Sequence, residues 1–147
     1  MREILFRGKR VNNGEWVEGS YWYSRRSNTY QHFVFDDEGV WVGVDPNTVG
    51  RFTVLTDRNG VKIFEGDIVR WHDNTELSVG GQAETVCYGR YRDADSAFDN
   101  VYAIGFYLRT SGRECVTICW LDEYKNDFDI IGNIYDNPEL LEVSGDE

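Results

Sequence analysis

The chain has 147 residues, the size of one domain, and a chain of that length buries enough surface to hold a core without a metal or a disulfide. Its 5 Trp, 9 Tyr and 8 Phe, with 15 Gly against 2 Pro, lean towards sheet punctuated by tight turns. A net charge of −11 and a pI near 4.6 weigh against nucleic acid as a partner, because non-specific affinity for phosphate needs clustered Lys and Arg; no apolar run reaches the ~18 residues of a membrane helix.

In chain order, Glu3 to Arg7 reads as a first short strand. Asn13-Gly14 signals a turn ahead of a second strand over residues 15–24, with Trp16, Glu18 and Ser20 on one face and Val17, Gly19, Tyr21 and Tyr23 on the other. Residues 24–29 are polar and form a loop tip. Residues 30–35 and 40–44 flank Asp36-Asp37-Glu38-Gly39 and predict a hairpin. Pro46 lacks an amide donor, so it ends a strand or opens one helical turn.

Strand character resumes at 51–55. Thr56 to Gly60 holds the clearest hairpin loop, since Asn59 tolerates positive φ and Gly60 adopts it freely. Strands are expected again at 61–64 and, after the Glu65-Gly66 turn, at Asp67 to Trp71. Residues 72–83 carry no period and read as a loop. Residues 84–91 are extended, and 92–100 can hold one helical turn. Residues 101–109 and 113–121 form a long hairpin around Ser111-Gly112. A last strand covers 128–135. Asn137 then caps a short helix whose first residue is Pro138, and residues 142–147 form a frayed tail.

No linker, low-complexity run or repeat divides the sequence, and no segment has the helical period of a parallel crossover. The expectation is a single, mainly β domain over residues 1–147. Its antiparallel strands form a small barrel or sandwich, with an SH3-like core and one or two short helices, around one aromatic interior. The odd set Cys87, Cys115 and Cys119, with the charged pair Arg2-Glu3 at the start, predicts reduced thiols and a cytoplasmic location.

Two segments carry more than composition: DPNTVGRFTVLTDRNGVKIFEGDIVRW over residues 45–71, and FDIIGNIYDNPELL over 128–141. With the opening REILFRG and the region of Trp16, this arrangement resembles the YopX family, whose members are encoded by bacteriophages and by prophages in bacterial genomes. The resemblance implies a phage or prophage origin and a bacterial cytoplasm. It implies no catalytic residues to carry over. Read as residues, these motifs build structure: the Asp and Asn-Gly of 56–60 make a turn, Gly66 permits a sharp bend, and Gly132 marks a bulge or a close backbone approach. The alternative is that the Gly66-Asp67 and Gly132-Asn133 turns line a shared groove.

The chemistry-bearing residues assemble into no familiar site. His32 and His72 are the only histidines, no Cys-x-x-Cys occurs, and Cys115 and Cys119 are too far apart on one strand to share a zinc. Phosphate loops and the nucleophile elbow are missing. No metal, no cofactor and no catalytic residues are expected. Binding candidates are Arg25 and Arg26, lying in a loop near Trp22 and Tyr30, a basic and stacking combination suited to a single strand, together with His72 at a strand end. The first expectation is a non-enzymatic interaction or structural module that forms homo-oligomers and engages a host or phage protein. The alternatives are a weak single-stranded nucleic-acid binder, an acidic mimic of DNA that inhibits a host DNA-binding protein, and an enzyme using carboxylates.

Overall fold

The computed structural model describes residues 4–26, 29–71, 83–92, 102–110, 113–117 and 128–141. The chain divides into two compact units, Met1–Val54 and Leu55–Glu147. The strands form two antiparallel sheets, each open rather than closed into a barrel.

In the first unit the strand order is β4-β3-β2-β1-β5. The strands are β1 (Phe6–Lys9), β2 (Trp16–Arg26), β3 (Thr29–Phe35), β4 (Trp41–Gly43) and β5 (Gly50–Thr56), the last running past the boundary. Between β1 and β2, Gly14 N–H donates to Arg10 O at 2.9 Å and Glu15 N–H to Asn13 Oδ1 at 2.9 Å, closing the expected Asn13-Gly14 turn. The β2–β3 ladder is longer than the sequence suggests. Arg25 pairs with Tyr30 and Arg26 with Thr29, so the polar tip shrinks from the expected 24–29. Cross-strand pairing there overrides the local turn preference of Ser24 and Thr29.

Alternation along these strands sets the core. Val34 lies opposite both Tyr21 and Val42, and Val17 lies opposite Gly8. Val17, Val34, Val42 and Val44 form the buried cluster, with Val49 against it. A Cβ on Gly8 would lie only 3.1 Å from that of Val44, so the bare glycine lets the valine seat itself. Pro46 opens the single 3-10 turn Pro46–Thr48, and Asp45 Oδ1 accepts from Asn47 N–H at 3.0 Å. The turn is fastened to β1, because Lys9 N–H donates to Thr48 Oγ1 at 2.9 Å and Asp45 N–H to Lys9 O at 2.9 Å.

In the second unit β6 (Lys62–Phe64) follows the 56–60 turn and is hydrogen-bonded to β5. A five-stranded sheet has the order β10-β9-β8-β7-β11. Its strands are β7 (Asp67–Trp71), β8 (Glu84–Arg92), β9 (Tyr102–Thr110), β10 (Arg113–Thr117) and β11 (Phe128–Asn133). Ile63, Val69, Val86, Leu108 and Phe128 form its core, flanked by Leu55, Phe106 and Ile130. The expected terminal helix is one 3-10 turn, Pro138–Leu141, with Leu140 N–H donating to Asn137 O at 3.1 Å. Expectations for residues 72–82, 93–100 and 142–147, for the Ser111-Gly112 turn and for the expected 113–121 strand beyond residue 117 lie outside the described residues.

The buried clusters are mainly aliphatic, which corrects the expectation of an aromatic interior. Aligned β-branched side chains fill the pleats, and much of the aromatic surface is left on the sheet faces.

Candidate functional site

The face of β2, β3 and β4 opposite the valine cluster carries Trp22, Phe33, Phe35 and Trp41. Register brings them together: Trp22 is opposite Phe33, and Phe35 is opposite Trp41. Trp41 is the hub. Its ring centroid lies 4.8 Å from that of Trp22, 4.9 Å from Phe35 and 6.1 Å from Phe33, and Trp22 lies 6.0 Å from Phe33. The arrangements are tilted or edge-on, as aromatic quadrupoles prefer. Trp22 is 48% and Trp41 51% exposed. Beside Trp41 lies a pocket of about 260 Å³, walled by Arg10, Val11, Asn12 and Val40. Arg10 Nε is buried there with no hydrogen-bond partner among the described residues.

Charges lie at the two ends of the β2–β3–β4 meander. The β3–β4 turn presents exposed Asp37 and Glu38. Asp36 is occupied in shaping the turn, its Oδ1 accepting from Glu38 N–H at 3.0 Å and Val40 N–H at 2.9 Å. The far end of the β2–β3 ladder carries Arg25 and Arg26, and Arg10 bridges to Val44 just past β4. The first unit has seven Lys or Arg against seven Asp or Glu; the second has eight against nineteen, so the whole −11 belongs to it.

The sequence candidates are therefore only partly brought together. Trp22 belongs to the ring cluster. Arg25 and Tyr30 are cross-strand neighbours at the ladder end, in the phase of Tyr21 and Tyr23, not of Trp22. Arg26 is placed by its pairing with Thr29, and His72 lies outside the described residues. Sequence reasoning missed Phe33, Phe35 and Trp41. Their signal was phase: they alternate against Val34 and Val42 across the hairpin.

The reactive groups elsewhere are engaged or quiet. His32 stacks against both Tyr21 and Tyr23, with ring centroids at 5.9 and 5.6 Å, and its Nδ1 shares a 2.5 Å hydrogen bond with the Tyr21 hydroxyl. Burial, and secondarily the neighbouring Tyr23, pushes the Tyr21 phenol up. Burial likewise pushes the Cys87 thiol up, outweighing Arg109 and Tyr107, so less of the nucleophilic thiolate forms. Among the described residues no group of three His, Cys, Asp or Glu could hold a metal ion, and no helix is long and apolar enough to cross a membrane.

The two motif segments meet in the second unit. Asp57 is 5% exposed; its Oδ1 accepts from Asn59 N–H at 2.8 Å and Val61 N–H at 3.0 Å, and its Oδ2 from Ile130 N–H at 3.2 Å. Arg58 pairs with Asp129 through Nε, and its amide donates to Phe128 O at 3.1 Å. β7 and β11 pair with a register shift between Ile130 and Gly132, which is the expected bulge. Ile134 N–H then donates to Gly66 O at 2.9 Å, and Tyr135 packs on Gly66, where φ is +94° and a Cβ would sit 3.0 Å from the ring. The Gly66 and Gly132 turns are thus joined by hydrogen bonds and packing.

Together these features define an antiparallel all-β protein with an exposed aromatic face and a separate, tightly fastened turn network. Residues 5–142 match the family model described as YopX protein, and the chain belongs to the YopX family. No curated protein matches it. Among solved structures it is similar to the crystal structure of protein EF1440 from Enterococcus faecalis, at 21% identity and a TM-score of 0.50, over 97% of this chain and 100% of that one. That likeness concerns the fold alone.

Proposed function

We propose that this chain is a phage- or prophage-type accessory protein of the bacterial cytoplasm, a non-enzymatic interaction module that works through the outer face of β2, β3 and β4. The observation that carries this reading is the cluster of Trp22, Phe33, Phe35 and Trp41, four rings held in register on a face the core does not use. An exposed aromatic side chain gains about 1.5–3 kcal/mol when it becomes buried, and Trp is prominent among the residues that dominate interface energetics. The ladder and the valine cluster behind hold the rings in place, which lowers the entropy lost on binding.

The test is a tagged full-length chain incubated with extract of a lysogenic bacterium, compared with the double variant Trp22→Ser, Trp41→Ser. The rings lie outside the valine cluster, so the variant should keep its fold by circular dichroism while losing what the parent retains. Identical recovery by parent and variant would count against the face.

A further inference from the structure

β4 lies at one edge of its sheet, and its bonds to β3 use alternate residues. Asp36 N–H donates to Val40 O and Val44 N–H to His32 O, each at 3.0 Å, so Val34 and Val42 form the bonded pair between them. The backbone groups of Trp41 and Gly43 therefore point the other way, out of the sheet edge. Residues 10 and 11 close one end of that edge. Arg10 bridges to Val44, and Val11 N–H donates to Gly43 O at 3.1 Å. No further backbone bond joins the two segments among the described residues, and the fork between them is the cavity of about 260 Å³ beside Trp41. Gly43 N–H and both backbone groups of Trp41 have no hydrogen-bond partner among the described residues. Arg10 walls the fork too. Its side chain makes no ion pair or hydrogen bond among the described residues, and its Nε is shut off from solvent.

We propose that the fork holds the C-terminus of an extended peptide that ends in an apolar residue and runs parallel to β4. This deepens the proposed function and rests on it, narrowing the contact surface to one edge. Trp41 offers a donor and an acceptor, the complement of another peptide backbone. Gly43 N–H and Arg10 stand at the closed end, where a carboxylate supplies both acceptors and the missing negative charge. Asp37 and Glu38 are exposed on the turn that precedes β4, so the negative terminus lies away from them, which sets the peptide's direction. Val11 and Val40, 71% and 49% exposed, flank the space left for the last side chain.

The experiment is fluorescence polarisation of the full-length chain with three labelled heptapeptides, ending in Val, Leu or Phe, each as the free acid and as the C-terminal amide. At least one acid should bind, and its amide should bind about tenfold more weakly or worse. Arg10→Gln should weaken the acid by about tenfold and leave the amide unchanged, closing the gap between the two ligands. Circular dichroism checks the variant's fold, and the comparison of acid with amide on the parent needs no variant. Three acids that fail to bind at roughly 1 mM, an amide as tight as its acid, or a gap that survives Arg10→Gln would each overturn the proposal. Isovalerate that displaces the peptide at equal concentration would assign the fork to a small acid and overturn it too. If these arms fail while Trp22→Ser, Trp41→Ser still abolishes retention from extract, the interaction face stands and only this occupant falls.

Discussion

Glu84 opens β8 opposite Val69, and burial lifts its carboxyl from the ordinary 4.5 to about 7. The fold therefore favours the protonated acid. Its stabilising contribution is complete below about pH 4.5, declines as pH rises, and is gone above about pH 7, where a half-buried charge remains. Glu84→Gln should accordingly raise stability by about 1–3 kcal/mol near pH 8 and by much less near pH 5, read from urea midpoints at the two pH values. Asp57 works differently, as a buried acceptor for three backbone amides. Asp57→Ala orphans all of them and should cost about 2–4 kcal/mol in the same assay. Asp57→Asn keeps an oxygen for Asn59 and Val61 but sets an NH2 group towards Ile130 N–H, so it should recover only part of the loss.

Among the elements, the β2–β3–β4 meander depends on one glycine. A Cβ at Gly19 would fall 2.0 Å from the carbonyl oxygen of Phe35 and 3.1 Å from Asp36 Cα, both backbone atoms that cannot swing aside. Gly19→Ala must displace the end of β3 and the acidic turn, at a cost of roughly 2–4 kcal/mol. Near-ultraviolet circular dichroism should record it as a loss of aromatic signal, because Phe35 and Trp41 lose their registration. This position also marks how far the sequence could be read. Alternation in residues 16–23 already separated Val17 from Trp16, and Asn59-Gly60 and Asp36 to Gly39 were legible as reversals, because turn chemistry is local. The length of the β2–β3 ladder was not, since Arg25, Arg26 and Thr29 are held by cross-strand partners rather than by their own preferences. The ring cluster required two registers at once, so Trp22 was found without Phe33, Phe35 or Trp41.

For the whole molecule, the motif segments that make the family recognisable, residues 45–71 and 128–141, largely build one turn network in the second unit. That network says more about ancestry than about action. The aromatic face lies in the other unit. Formal charge divides along the same line, so the overall −11 describes the second unit and not the unit that bears the aromatic face. Neutralising the second unit's surplus acids should therefore leave the face's own chemistry intact while lowering solubility.

The uneven distribution of acids gives the second unit the role that a fused solubility tag plays in a recombinant protein. A half-exposed ring cluster on a unit without net charge invites indiscriminate clumping, and the surplus acids of the other unit keep neighbouring molecules apart. Turbidity should therefore peak as the solution approaches the isoelectric point near 4.6, and Trp22→Ser with Trp41→Ser should blunt that peak.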